Sequence, residues 1–175
     1  TCVLFGDGAG AAVVSRTDDV AESRIVDSYL RSRGSGAETL YRPAGGSRRP
    51  YVEGETPPAD RFLFMDGRQV YNFAVGAVAE AIQAILDKTG LTFEAVDHVV
   101  PHQANVRIIK AAAKRAGLDF GKFYTNIERY ANTSAASIPI ALTEMVDQGI
   151  LTRGQRVLTV GFGSGLAYGA NLIVW

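Results

Sequence analysis

From Gly67 to Lys88 the apolar residues Val70, Phe73, Ala74, Ala77, Val78, Ala81, Ile82 and Ile85 recur at spacings of three and four. That period lays one apolar stripe along an α-helix and demands a surface to bury it against. Gly90 stands where a left-handed C-cap is expected. A strand-like run, Val96 to Val100, follows and leads into Pro101-His102. A second helical stretch runs from Ala104 to Ala116 and is closed by Gly117; a third runs from Ser134 to Gln148 and is closed by Gly149. Residues 156–162 and 168–175 read as two strands around Gly161-Phe162-Gly163-Ser164-Gly165. Upstream, residues 2–6 and 11–15 read as short strands around Gly6-Asp7-Gly8-Ala9-Gly10, and residues 24–31 alternate apolar and polar as a strand does. Between Gly34 and Asp60 the chain is rich in Gly, Pro, Ser and Arg, which predicts a long loop or flap. Strand and helix in alternation, ended by a strand pair, specify the α/β class, with helices packed on a sheet.

Composition narrows the function. The 175 residues hold 18 Lys+Arg against 18 Asp+Glu, so the formal charge is zero. Bulk nucleic-acid binding, which needs excess positive charge, is not expected. Hydrophobic residues make up 47%, enough to support a globular core. No apolar run reaches the roughly 18–20 residues that cross a bilayer, so no membrane partner is expected. The start, Thr1-Cys2-Val3, has no signal-peptide pattern, and the single cysteine, Cys2, fits a reducing compartment such as the cytoplasm. A chain that opens inside an apolar strand pattern also reads as one piece of a longer polypeptide.

Four strings are candidates for chemistry. The glycine turn at 6–10, with Ala11, fits a dinucleotide-binding fingerprint, but the β-like sequel Ala12-Val13-Val14 supplies no helix to face a pyrophosphate. In Pro101-His102-Gln103-Ala104-Asn105-Val106-Arg107 the histidine lies at the carboxyl end of a strand, the usual ligand side of an α/β sheet. Gln103 and Asn105 stand where either can bond its ring. His98, beside Asp97, reads as a surface residue. In Asn132-Thr133-Ser134-Ala135-Ala136-Ser137 the polar residues serve as a helix N-cap, or Asn132 offers its amide to a substrate oxygen; both roles are compatible. Phe162-Gly163-Ser164-Gly165 is a hairpin loop or a turn presenting backbone N–H groups to an oxyanion. Arg107, Lys110, Lys114 and Arg115 share one helix face, either merely solvated or able to dock an acidic partner.

Taken in order, these strings resemble the carboxyl-terminal half of the β-ketoacyl-acyl carrier protein synthase III family, of the thiolase-like superfamily. The match is carried by Phe5-Gly6-Asp7-Gly8-Ala9-Gly10-Ala11, by Pro101 to Ile109, by Asn132-Thr133-Ser134-Ala135-Ala136-Ser137-Ile138-Pro139 and by Phe162-Gly163-Ser164-Gly165. Met65-Asp66-Gly67-Arg68-Gln69-Val70-Tyr71 fits the start of the family's long helix. The resemblance implies a thiolase-like fold of two similar βαβαβαββ halves, each with a five-stranded sheet. Residues 1–20 would then be the last strands of the first half, and residues 21–175 the second. The echo between residues 4–14 and 161–169 agrees with such a duplication.

The resemblance further implies fatty-acid chain initiation by a Cys-His-Asn mechanism. A cysteine takes an acyl group from acyl-coenzyme A, malonyl-acyl carrier protein loses carbon dioxide, and the carbanion attacks the acyl-enzyme. His102 and Asn132 map to the family's histidine and asparagine. Phe162, Gly163 and Ser164 map to the oxyanion and site loop, and Gly67 and Asn105 to positions near the pantetheine arm. Arg107 would lie at the tunnel mouth and, with Lys114 and Arg115, meet the acidic carrier protein. No cofactor or metal is implied; acyl-coenzyme A is a substrate, and the complete protein would be a homodimer. The nucleophile has no match: Cys2 maps to a buried strand and not to the tight turn before a helix where a thiol is activated. The chain alone is therefore expected to be inactive. Other readings remain open: a polyketide starter acyltransferase or priming synthase of the same fold, or a non-catalytic module that binds carrier protein. A papain-type protease would need a cysteine context that is missing here.

Overall fold

The computed structural model describes residues 3–16, 18 and 23–175. Cys2, and with it the expected buried thiol, lies outside the described residues. The main sheet has four strands: β1 (Arg24–Ser32), β4 (His98–Pro101), β5 (Arg156–Gly163) and β6 (Ala167–Val174). Their order is β1-β6-β5-β4. β4 and β5 are parallel, and the other pairs are antiparallel. A small second sheet pairs β2 (Leu40–Tyr41) with β3 (Phe64–Met65). β2 lies inside the expected flap and β3 just after it, and 3-10 turns form at Gly34–Thr39 and Pro58–Arg61. Where the resemblance implies a fifth strand, Phe123 makes a single parallel bridge to Val99, and Tyr124 N–H donates to Val99 O at 2.9 Å.

Helix α1 (Gly67–Thr89) begins at Asp66, whose carboxylate accepts from Gln69 N–H, and ends at Gly90 with φ 67°. All eight stripe positions, Val70 through Ile85, are buried. They pack on α2 (Val106–Ala116) and on Leu158, Val160, Tyr168, Ala170 and Leu172 of the sheet. Burying each large aliphatic side chain contributes about 1.5–3 kcal/mol relative to exposure. Tyr29 and Tyr168 hydroxyls donate to Glu80 at 2.9 and 2.6 Å, tying α1 to β1 and β6. The opposite face of the sheet is covered by α4 (Ser137–Asp147), where Ala141 and Met145 meet Val100, Val157 and Leu151. Helices on both faces of a mixed sheet make the expected α/β class. No described helix is long and apolar enough to cross a membrane.

Three expectations change. Residues 6–16 form no strand, and only Phe5 makes a bridge, to Asn132. Val13 and Val14 are 97% and 78% exposed, and β-branched residues favour strands only where a pleated surface receives them. The second helix starts at Val106, not Ala104, because Asn105 caps it: its side-chain oxygen accepts from Arg107 N–H at 2.8 Å. The third helix starts at Ser137, after a 3-10 turn at Ser134–Ala136.

Candidate functional site

His102 follows the last residue of β4, and its backbone N–H still donates to Val160 O of β5 at 2.7 Å. The ladder thus fixes the histidine at the carboxyl end of a parallel pair. Its Nδ1 lies 2.8 Å from Ser137 Oγ, and its ring meets Phe162 edge-on, with centroids 5.1 Å apart. Burial pushes the imidazole down to about 4, so the ring is neutral at pH 7. Nε2 has no protein partner among the described residues.

The expectation that Gln103 or Asn105 bonds the ring is corrected. Asn105 is occupied as a cap. Gln103 is fully buried and points the other way. Its amide donates to Pro101 O at 2.8 Å and Tyr124 O at 3.2 Å, and its carbonyl accepts from Asn126 N–H at 3.1 Å. It clamps the turn carrying His102 to the turn that leads towards Asn132. His98 is also corrected: it is half-buried, and its Nε2 lies 3.1 Å from Ile150 O.

Asn132 is held from two sides. Its N–H donates to Leu4 O at 3.1 Å and its carbonyl accepts from Gly6 N–H at 3.0 Å. A Cβ on Gly6 would collide with the Tyr130 carbonyl, and one on Gly8 would lie 2.8 Å from Ile140. The glycine turn is therefore a close-packing device against this loop. Asn132 Oδ1 accepts from Ser134 N–H at 2.9 Å, the expected capping role, exercised on the 3-10 turn. Its Nδ2 has no protein partner among the described residues. Thr133 Oγ1 beside it is buried without a hydrogen-bond partner among the described residues. Ala131 and Ser134, on either side, take φ 57° and 53°, which costs roughly 1 kcal/mol or more each. From Ser134 to Ser137 the 3-10 rise is about 6 Å. Asn132 is thus joined by one short turn to the hydroxyl that touches His102.

Upstream of Asn132, the short helix α3 (Ile127–Tyr130) is anchored to Glu144 of α4. Asn126 Nδ2 donates to Glu144 at 2.7 Å and Arg129 pairs with it at 2.5 Å. Burial works to raise the Glu144 carboxyl, and bonds from Asn126 and Tyr124 together with the Arg129 charge outweigh it, holding it below its ordinary value.

Ser164 lies in the β5–β6 turn, its hydroxyl donating to Leu40 O at 2.6 Å. Phe162, Gly163, Ser164 and Ile138 border an open depression of about 850 Å³ that does not include His102 or Asn132. Gly67 is exposed at the first turn of α1. Arg107, Lys110, Lys114 and Arg115 are exposed along α2 with no acidic partner among the described residues. The Arg115 guanidinium reaches across to Gly76 of α1. No three His, Cys, Asp or Glu side chains come together among the described residues.

Comparison with known proteins adds an independent line. Residues 86–175 match the family model described as 3-oxoacyl-[acyl-carrier-protein (ACP)] synthase III C terminal, and residues 1–34 match the one described as 3-oxoacyl-[acyl-carrier-protein (ACP)] synthase III. The chain belongs to the 3-oxoacyl-acyl carrier protein synthase III family. It is 46% identical over 175 residues to a β-ketoacyl-[acyl-carrier-protein] synthase III of Clostridium novyi, covering 100% of this chain and 53% of that protein. A synthase III of Caldanaerobacter subterraneus is 47% identical, with 100% and 52% covered. The crystal structure of 3-oxoacyl-[acyl-carrier-protein] synthase III from Aquifex aeolicus superposes with a TM-score of 0.84 at 40% identity, covering 100% of this chain and 51% of that one. The chain spans about half the length of the synthase III proteins it matches.

Proposed function

We propose that this chain contributes the hydrogen-bond donor side of a condensing site that starts fatty-acid chains in the cytoplasm. The reading rests on one observation above the others: a neutral imidazole and a carboxamide, each with a nitrogen that has no protein partner among the described residues, are linked through Ser137 and one short turn. In the proposed reaction an acyl group is already held as a thioester on a cysteine, taken from acyl-coenzyme A. Malonyl-acyl carrier protein then loses carbon dioxide. The carboxylate C–C bond breaks, and its electron pair moves into an enolate on the carrier thioester. The enolate carbon attacks the acyl carbonyl, the cysteine thiolate leaves, and a β-ketoacyl-acyl carrier protein remains.

His102 Nε2–H and Asn132 Nδ2–H would both donate to the thioester oxygen as it takes negative charge. Each such donor typically accounts for about 10²–10³ in rate. A charge of zero on the imidazole suits this task, since the ring is asked to donate and not to exchange protons. Phe162 would hold the imidazole face, and the Gly163-Ser164 turn would present backbone N–H groups in the acyl step. Gly67 and Asn105 would lie along the pantetheine arm, and the exposed cations Arg107, Lys114 and Arg115 would meet the acidic carrier protein. Residues 1–20 and 21–175 would belong to successive halves of a homodimeric synthase, with the nucleophile contributed by residues other than Cys2.

The test is release of carbon dioxide from malonyl-acyl carrier protein by the complete synthase. His102→Ala and Asn132→Ala should each slow it about 10²–10³-fold. Near-normal release from both variants would overturn the reading.

A further inference from the structure

In the sequence Ser137 stands only as one of the polar residues of a helix-start motif. Its hydroxyl stands between two groups whose hydrogen-bonding demands fix where its single proton goes. Gln103 backbone N–H points at Oγ from 3.2 Å, and a backbone amide can only donate. One lone pair of Oγ is therefore occupied. His102 Nδ1 lies 2.8 Å away on the other side. Ser137 is 2% exposed, and no other acceptor lies within bonding distance of Oγ among the described residues. The hydroxyl proton has one place to go, the Nδ1 lone pair. The reverse arrangement, Nδ1–H donating to Oγ, would leave a buried hydroxyl proton with no acceptor, which disfavours it roughly tenfold or more.

We propose that Ser137 is a positioning residue: its hydroxyl donates to Nδ1 of His102 and locks the imidazole as the Nε2–H tautomer. This rests on the reading of His102 as a donor to the thioester oxygen, and it adds which group makes the ring a donor. The direction of the bond is set by Gln103 N–H, so the device has three parts: an amide that fills one side of the hydroxyl, the hydroxyl itself, and the ring. Two further features act the same way. Ser137 opens α4, and the positive end of that helix opposes a charged imidazole beside it. Phe162 packs edge-on to the ring and hinders the flip that would exchange its two nitrogens. With Nε2 carrying the proton, the ring cannot serve as a base at the site-facing nitrogen.

The chain has only two histidines, His98 and His102, so nitrogen-15 spectra assign readily. Long-range proton–nitrogen correlation on the histidine-labelled chain near pH 7.5 (about one unit above the ordinary imidazole value) reads the tautomer directly. The expected result for His102 is one neutral form, with a pyridine-type signal at Nδ1 and a pyrrole-type signal at Nε2. In Ser137→Ala both nitrogens should move to exchange-averaged positions, while Ser137→Thr, which keeps a hydroxyl, should hold the single form. A pyrrole-type signal at Nδ1 in the unaltered chain overturns the proposal, and so does an unchanged tautomer in a folded Ser137→Ala. If either variant fails to fold, the unaltered chain still decides on the first criterion. In the complete synthase, Ser137→Ala should also lower malonyl decarboxylation about tenfold. If His102→Ala leaves decarboxylation intact while the spectrum shows Nε2–H, the functional reading fails and the tautomer assignment stands. If His102→Ala abolishes it while the spectrum shows Nδ1–H, the reverse holds.

Discussion

Gln103 is fully buried, makes three side-chain hydrogen bonds and touches neither the ring of His102 nor open solvent. Removing its amide strands the Pro101 and Tyr124 carbonyls and the Asn126 N–H in a closed environment. Gln103→Leu should therefore cost about 2–4 kcal/mol in urea denaturation. A loss well under about 1 kcal/mol would mean those groups find other partners. His102 and Asn132 were legible as candidates because their neighbours in sequence are distinctive. Ser137 and Gln103 were not assigned their roles, because their partners lie 35 and 23 residues away, across contacts that only the fold creates. The left-handed backbone at Ala131 and Ser134 gave no sign either, since neither residue is glycine.

At the scale of elements, α1 was readable from a stripe of eight apolar positions and a Gly at the stop, and the structure adds the Asp66 cap at its start. Such patterns are local, so a single segment contains the whole signal. The segment at 6–10 was misread for the complementary reason. Its glycines suggest a turn between strands, but what they provide is room for a close approach to Tyr130, Ile140 and Pro139. Gly6→Ala should push this segment off the Asn132 loop. Hydrogen exchange at the Asn132 N–H, which donates to Leu4 O, should then speed up roughly tenfold or more, in line with the usual cost of overpacking. Unchanged exchange would show that the segment is not what holds Asn132.

For the whole molecule, acid stability follows from the buried imidazole. In the unfolded chain a histidine binds its proton near pH 6.5; in the fold His102 does so only near 4. Between those values the unfolded state holds more protons, so stability falls as pH drops through that window and is fully present above it. The loss amounts to the order of 3 kcal/mol by pH 4. Glu144, held below its ordinary value by Asn126, Tyr124 and Arg129 despite burial, adds a further loss at still lower pH. Denaturant midpoints at pH 7.5, 5.5 and 4.5 should decline accordingly, and His102→Gln should flatten the upper part of that decline. A profile that is flat between pH 7.5 and 4.5 would contradict the neutral buried ring.

In the proposed site two donors serve one oxygen, and a double-substitution cycle on malonyl-acyl carrier protein decarboxylation tests that most directly. His102→Ala, Asn132→Ala and the pair together are compared in the complete synthase by carbon dioxide release. Groups that act as a unit are strongly non-additive. The predicted result is a large loss from each single change and a combined loss far smaller than the product of the two. Two losses that multiply in full, or a single variant that keeps its rate, would contradict convergence on a common oxygen.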